Sequence, residues 1–285
     1  MGVTPSGVKF STRKFFYRRT KMASTVQREG SDPGAAPYGN FINYYTFNPP
    51  ENRLTLIPRT LLRDIGYSSE TSENITVLDV GCNSGDFTVA LYRHLQEQES
   101  SSRTAEGWVH LLGCDLDEGL ILRAEQSNPF PNSISFIHLD VANDEHSRTQ
   151  LGSYLSKFGR SSFDLCLCLA VTMWVHLNHG DEALLELLSR LASLCHHLLL
   201  ETQPWKCYRS AARRLRKLGR GDFEHFKTLK IRGDMEEHAR DHLVRNCGMK
   251  LVRSFGSTAW DRTLMLFTRN AIEVGKEEST QPSTN

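Results

Sequence analysis

Apolar and polar positions fall in blocks from residue 77 onward, and the blocks change period as they go. Val77-Leu78-Asp79-Val80 is a short apolar run that rises to an aspartate. Gly81-Cys82-Asn83-Ser84-Gly85 turns that run into a stripe of Phe87, Ala90, Leu91 and Leu95 at helical spacing. This pattern predicts a buried strand and the helix packed on it, the first unit of an open α/β sheet. Similar runs follow at Val109–Asp115, Ser135–Leu139, Phe163–Leu169 and Leu198–Glu201. Before the last of these, Ala183, Leu184, Leu187, Leu188, Leu191 and Leu194 share one helix face, with Asp181 placed as its N-cap. A final helix spans Met235 to Cys247 and is closed by Gly248. Lys250–Ser254 and Thr263–Thr268 then read as an antiparallel hairpin, with Trp260-Asp261-Arg262 near its turn. Ahead of the first strand, Leu54, Leu56, Ile57, Leu61 and Leu62 predict a helical lead-in punctuated by Pro49, Pro50 and Pro58. Strands alternating with helices imply a parallel sheet covered on both faces.

Chemistry concentrates where these strands end. The first turn reads D-x-G-x-x-x-G across Asp79, Gly81 and Gly85, unlike the nicotinamide fingerprint or the G-K-[ST] ending of a phosphate loop. Without a lysine, the turn suits a cofactor that is not a polyphosphate, and S-adenosylmethionine fits. Gly81 and Gly85 are expected to leave bare backbone for it beside the helix N-terminus. Asp115 closes the second strand, where a doubly wound site hydrogen-bonds ribose hydroxyls. Asp117 is read as a helix cap, and Asp140-Val141 after the third strand is placed to address an adenine edge. Tyr38-Gly39-Asn40-Phe41 and Tyr44-Tyr45 form an aromatic cluster with two open uses. It either covers the sheet edge or forms a lid, with Asn40 and Arg53 as polar contacts. After the fourth strand, Trp174, His176, Asn178 and His179 suit a substrate mouth. His176 and His179 lack nearby third and fourth ligands, so no metal is expected. Cys166 and Cys168 share a strand face and are read as packing.

Composition adds less. The chain has 285 residues, a net charge of +1 and seven cysteines, which suits one large domain with tails and reduced thiols. No apolar stretch reaches the ~20 residues of a membrane span. Residues 1–36 read as a basic tail, with seven Lys or Arg and no acidic residue up to Arg28. Both a disordered arm and a mitochondrial transit peptide have such a composition. Residues 37–270 are expected to form the folded domain, and residues 271–285 a polar, disordered tail. Between Lys206 and Arg232, ten basic residues face two acidic ones. Arg209, Arg213, Arg216 and Arg220 recur at three- and four-residue steps and are expected to share a helix face suited to a polyanion.

Five alternating strands ending in a hairpin match the expected order of the seven-stranded, class I (Rossmann-like) methyltransferase sheet. The sequence also resembles the bicoid-interacting family of RNA 5′-phosphate methyltransferases. Four segments carry the likeness: Tyr38-Gly39-Asn40-Phe41, Leu78 to Gly85, Trp174-Val175-His176-Leu177-Asn178, and Glu201 with Gln203-Pro204-Trp205. The resemblance runs from about Ala36 to Arg269. Members that cap a triphosphate often have lysine where this chain has Met173, which favours the branch acting on monophosphates. The resemblance implies small RNA substrates such as histidine transfer RNA and microRNA precursors, and a cytoplasmic location, which weakens the transit-peptide reading.

It further implies that Arg53, Gly81, Asn83, Asp115, Asp140, Val141 and Leu169 hold S-adenosylmethionine. Arg53 would meet the methionine carboxylate. A terminal phosphate with a second pKa near ~6 is already largely a dianion at neutral pH. Moderate hydrogen-bond donors therefore suit its pocket, and His176, Asn178, His179 and Tyr44 are the candidates. Arg213, Arg214 and Lys217 would hold the following RNA backbone, and Trp174 or Trp205 would stack on the first base. A monomer is expected. Triphosphate capping and noncatalytic RNA binding on the same fold remain as alternatives.

Overall fold

The computed structural model describes residues 36–68, 74–96 and 108–270. All of them belong to one unit, Pro33–Asn285. The expected tails, residues 1–36 but for Ala36 and residues 271–285, lie outside the described residues. Three short helices open the described chain: α1 (Tyr44–Phe47), α2 (Glu51–Leu54) and α3 (Leu61–Asp64). Alternating units follow: β1 (Ile75–Val80), α4 (Asp86–Gln96), β2 (Val109–Asp115), α5 (Glu118–Ser127), β3 (Ile134–His138) and α6 (Asp144–Ser156). Next come β4 (Phe163–Leu169), α7 (Thr172–Leu194), β5 (Cys195–Glu201), α8 (Trp205–Lys217) and α9 (Met235–Asn246). The hairpin β6 (Met249–Ser257) and β7 (Thr263–Arg269) ends the described residues.

The seven strands form one sheet in the order β3-β2-β1-β4-β5-β7-β6. β1 to β5 run parallel to their neighbours, while β7 enters antiparallel between β5 and β6. This is the order expected for the class I methyltransferase sheet. The strand order therefore reverses between β1 and β4, and these two parallel strands end together in the crevice where open α/β sheets take ligands.

The strands follow the rule for sheets covered on both faces. β1 and β4 are buried at every position and correspondingly apolar. Ile75 and Val77 face one apolar cluster with Leu61 and Leu62 of α3, Phe87 and Leu91 of α4, and Ile121 of α5. Leu78 and Val80 face the other, with Leu155 of α6, Leu188 of α7, Tyr208 of α8 and Leu243 of α9. The outer strand β6 is mostly exposed and its pairing with β7 shifts register twice, irregularity typical of a sheet edge. No helix among the described residues is long and apolar enough to cross a membrane.

Two glycines serve packing differently from the expectation. A Cβ on Gly85, at φ 78°, would sit 2.6 Å from Phe136 Cζ, and one on Gly81, at φ 74°, would sit 2.4 Å from Val171 Cγ2. Protein side chains, rather than open space, meet these bare backbones. Gly85→Ala should therefore lower unfolding free energy by about 2 kcal/mol through overpacking and backbone strain, read by urea denaturation; an unchanged midpoint would contradict this packing account.

Candidate active site at the carboxyl edge of the sheet

The first half of the site is the turn after β1. Gly81 N and Cys82 N both donate to Cys114 O, at 2.8 and 3.0 Å, so the turn stays tied to β2 beyond the strand. Asn83 is left-handed at φ 53° and donates its backbone N–H to Asp115 Oδ2 at 2.9 Å. Asp115 Oδ1 accepts from Asp117 N at 3.0 Å. Burial pushes the Asp115 carboxyl up, against these backbone donors. Beneath the turn, burial pushes the Asp79 carboxyl up to about 6, opposed by the Thr88 hydroxyl donating at 2.6 Å. Asp117 caps α5 as expected, accepting from Gly119 N and Leu120 N.

The aromatic cluster lies across this turn. Asn40 Nδ2 donates to Asp117 Oδ2 at 2.7 Å, Asn83 Nδ2 to Phe41 O at 3.1 Å, and Tyr45 Oη to Cys82 O at 3.1 Å. Asn40 Oδ1 is buried with no hydrogen-bond partner among the described residues. Asp140 is exposed at the end of β3, with Oδ1 accepting from Ala142 N at 2.9 Å. Val141 is half-buried, its carbonyl accepting from Arg190, and Leu169 is buried at the end of β4. An unpartnered amide oxygen and two carboxylates with lone pairs to spare form an acceptor set. It fits ribose hydroxyls and an exocyclic amine, as S-adenosylmethionine presents.

Arg53 is placed otherwise than expected. Its guanidinium makes a two-point pair with Glu201, Nε to Oε2 at 2.5 Å and Nη2 to Oε1 at 3.1 Å, and also donates to Tyr44 Oη at 3.0 Å. It is 2% exposed among the rings of Tyr44, Phe87 and Trp260. The protein's own carboxylate thus holds the group assigned to the methionine carboxylate.

The second half is a cavity of about 500 Å³ beside the ends of β4 and β5. Tyr44, Phe47, Met173, Trp174, Gln203, Lys206, Ser210, Arg214 and Arg262 are among its walls. Ala170 sits at its floor in the left-handed region, φ 61°, a strained conformation for a residue with a side chain. Gln203 braces it: Nε2 donates to Ala170 O at 2.5 Å, while Oε1 accepts from Met173 N at 3.3 Å. Lys206, Ser210 and Arg214 are one helical turn apart along α8, so a single stripe of that helix faces the cavity. Arg213 and Lys217 are exposed on the same helix outside it.

Several expected site residues do not arrive. α7 breaks at Gly180, φ 88°. His176 is fully buried, Nδ1 bonded to Tyr208 Oη at 3.1 Å and Nε2 to Asp181 Oδ1 at 2.8 Å, so it presents nothing to a substrate. The Asp181 carboxylate also accepts from Lys230 N and Ile231 N, and it clamps that loop rather than capping a helix through its side chain. Asn178 Nδ2 donates to Pro37 O, which anchors the N-terminal segment, and to Trp174 O one turn back in α7, so both its protons are used. His179 is exposed and does not line the cavity. Trp205 stacks on Tyr208 and Phe226, with Arg232 against its ring, and is packing rather than a base platform. Trp174 does line the cavity, but Gly39 closes on its indole and Phe41 meets it edge-on. Arg220 follows the end of α8, so it cannot share a helix face with Arg213. Among the described residues no three His, Cys, Asp or Glu side chains gather as a metal-holding group.

The structure adds Phe47, Gln203, Lys206, Ser210 and Arg262 to the cavity walls. The four-residue steps from Lys206 to Arg214 were a periodic signal for that stripe. Nothing local to Arg262 announced its place.

Comparison with known proteins identifies relatives of the chain. The family description for Bicoid-interacting protein 3 (Bin3) matches residues 163–269. A Danio rerio protein named pre-miRNA 5′-monophosphate methyltransferase is 64% identical, covering 87% of this chain and 98% of its own. A Homo sapiens protein named RNA 5′-monophosphate methyltransferase is 50% identical, covering 87% of this chain and 89% of its own. Among solved structures, a magnesium protoporphyrin IX methyltransferase from Synechocystis is 18% identical with a TM-score of 0.49, covering 80% of this chain and 85% of its own.

The His176–Asp181 clamp sets a pH dependence. Burial lowers the His176 pKa, outweighing Asp181, so the folded state prefers the neutral ring. For Asp181, burial would raise the pKa, but the donors His176, Lys230 and Ile231 lower it overall. Both groups stabilise the fold at neutral pH. The His176 part is lost as pH falls below its unfolded pKa near ~6.5, and the Asp181 part below ~3.9. Denaturation of His176→Asn should show a loss of about 2 kcal/mol at pH 7.5 and a flatter slope between pH 7 and 5, with kcat per folded molecule within a few-fold. A large fall in kcat at unchanged stability would contradict the structural role.

Proposed function

The chain belongs to the bicoid-interacting methyltransferase family, and from that membership we propose that it transfers a methyl group from S-adenosylmethionine to the 5′-monophosphate of small RNAs. One observation carries the choice of acceptor: among the described residues that line the cavity none is His, Asp or Glu, while Lys206, Arg214 and Arg262 are present. An acceptor hydroxyl would need a base to remove its proton. A terminal phosphate does not, because it is mostly dianionic at neutral pH, with a second pKa near ~6.

S-adenosylmethionine, when bound, supplies an electrophilic methyl on a sulfonium. In this reading Asn40, Asn83, Asp115, Asp140, Val141 and Leu169 hold it. The Tyr44 hydroxyl accepts from Arg53 and keeps its own proton for donation to the acceptor. Much of the rate enhancement then comes from alignment of a phosphate oxygen, an effect worth up to roughly 7–11 kcal/mol in favourable cases. Transfer neutralises charge on both reactants, so a dense cationic cage would stabilise the ground state more than the transition state. Arg213, Arg214 and Lys217 take the following RNA backbone. Phe47, 60% exposed at the cavity rim, replaces the tryptophans as the surface for the first base. Histidine transfer RNA and microRNA precursors are the proposed substrates. The protein is proposed to act as a cytoplasmic monomer without a metal; its seven unpaired cysteines agree with a reducing compartment.

Incubation with labelled S-adenosylmethionine and matched RNAs tests this directly. Label should enter the 5′-monophosphate RNA and leave 5′-hydroxyl and 5′-triphosphate RNAs largely unlabelled. Equal labelling of the hydroxyl end, or preference for the triphosphate, would overturn the assignment.

A further inference from the structure

We propose that Arg262, held by Glu201, is the positioning residue that receives the RNA 5′-phosphate and makes binding depend on it; this rests on the monophosphate reading above. Glu201 ends β5, is fully buried, and accepts from Arg53 and also from Arg262 Nη1 at 3.1 Å. Two guanidinium groups against one carboxylate leave a surplus positive charge where water is largely excluded. Arg53 is 2% exposed and does not line the cavity. Arg262 is 14% exposed on its side chain and does line it. The surplus charge therefore reaches the cavity through Arg262.

Arg262 Nε is buried with no hydrogen-bond partner among the described residues. A buried N–H on a charged group is costly to leave unpaired, so the site is built for an acceptor that arrives from outside. The acceptor should be anionic, because a neutral carbonyl would leave the surplus charge unbalanced. Two anions could approach: the terminal phosphate of an RNA and the carboxylate of the methyl donor. Position favours the phosphate. Arg262 shares its cavity with Lys206 and Arg214, which begin the basic face of α8, whereas Asn83, Asp115 and Asp140 lie outside it. Glu201 also moderates the pull. By offsetting one of the two arginines, it leaves one surplus charge rather than two in this group, and that charge holds the dianionic phosphate more tightly than the singly charged methyl ester formed from it.

Arg262→Gln tests the assignment. It removes the surplus charge but leaves the Arg53–Glu201 pair balanced, so the variant should fold. S-adenosylhomocysteine affinity within about twofold of wild type certifies both the fold and the donor site. Binding of one short RNA is then compared with a 5′-monophosphate and with a 5′-hydroxyl end at fixed salt. Wild type should prefer the phosphorylated end by roughly tenfold or more, as expected for charge-assisted hydrogen bonds. Arg262→Gln should bring that ratio to within about twofold and raise KM for phosphorylated RNA more than it lowers kcat. If Arg262→Gln loses the certifying affinity through unfolding, Arg262→Lys decides. A ratio cut fivefold or more supports the assignment, and a wild-type ratio overturns it. A wild-type ratio in folded Arg262→Gln, or lost donor affinity in the folded variant with the ratio intact, overturns the assignment while leaving the monophosphate reading standing. A wild-type protein that binds both ends equally overturns both.

Discussion

One buried carboxylate ties together segments that lie far apart in the chain. Glu201 closes β5, accepts two hydrogen bonds from Arg53 on α2, and accepts a third from Arg262 in the turn between β6 and β7. Breaking such a contact from one side leaves an unpaired charge in the interior, at a cost of several kcal/mol. The N-terminal lead-in, the fifth strand and the terminal hairpin are therefore held in one arrangement, and the cavity lies where they meet. Gln203, two residues further on, extends the order to Ala170 and the start of α7.

This arrangement divides the work between two neighbouring regions. The ends of β1, β2 and β3 gather acceptors: Asp115, Asp140 and the unpartnered oxygen of Asn40. The ends of β4 and β5, with α8 and the hairpin turn, gather donors and positive charge. In the proposed function, a donor molecule rich in hydroxyl and amino groups and an acceptor rich in anionic oxygen take separate halves of one crevice. The reversal of strand order beside β4 creates that crevice.

The centre of the sheet was legible in the sequence because burial on both faces makes β1, β2, β4 and β5 largely apolar runs. The same logic located Asp115 and Asp140, since carboxyl ends of strands are fixed once the strands are. The acceptor half was less legible, and the residues show why. His176 lies in a motif suggesting a polar mouth, but its burial depends on how α7 turns about Gly180 and on Asp181 closing over it from the far side of that break. Trp205 reads as a free aromatic until Tyr208, Phe226 and Arg232 are seen around it. Arg262 owes its place to a carboxylate 61 residues away. No local periodicity encodes such a pairing.

A structure of the complex with S-adenosylhomocysteine and a short 5′-monophosphorylated RNA tests the central claim most directly. The account predicts the terminal phosphorus in the cavity beside Arg262 and Tyr44, the first base against Phe47, and the sulfur across from a phosphate oxygen. A phosphate seated elsewhere, with Arg262 still facing only Glu201, would contradict it.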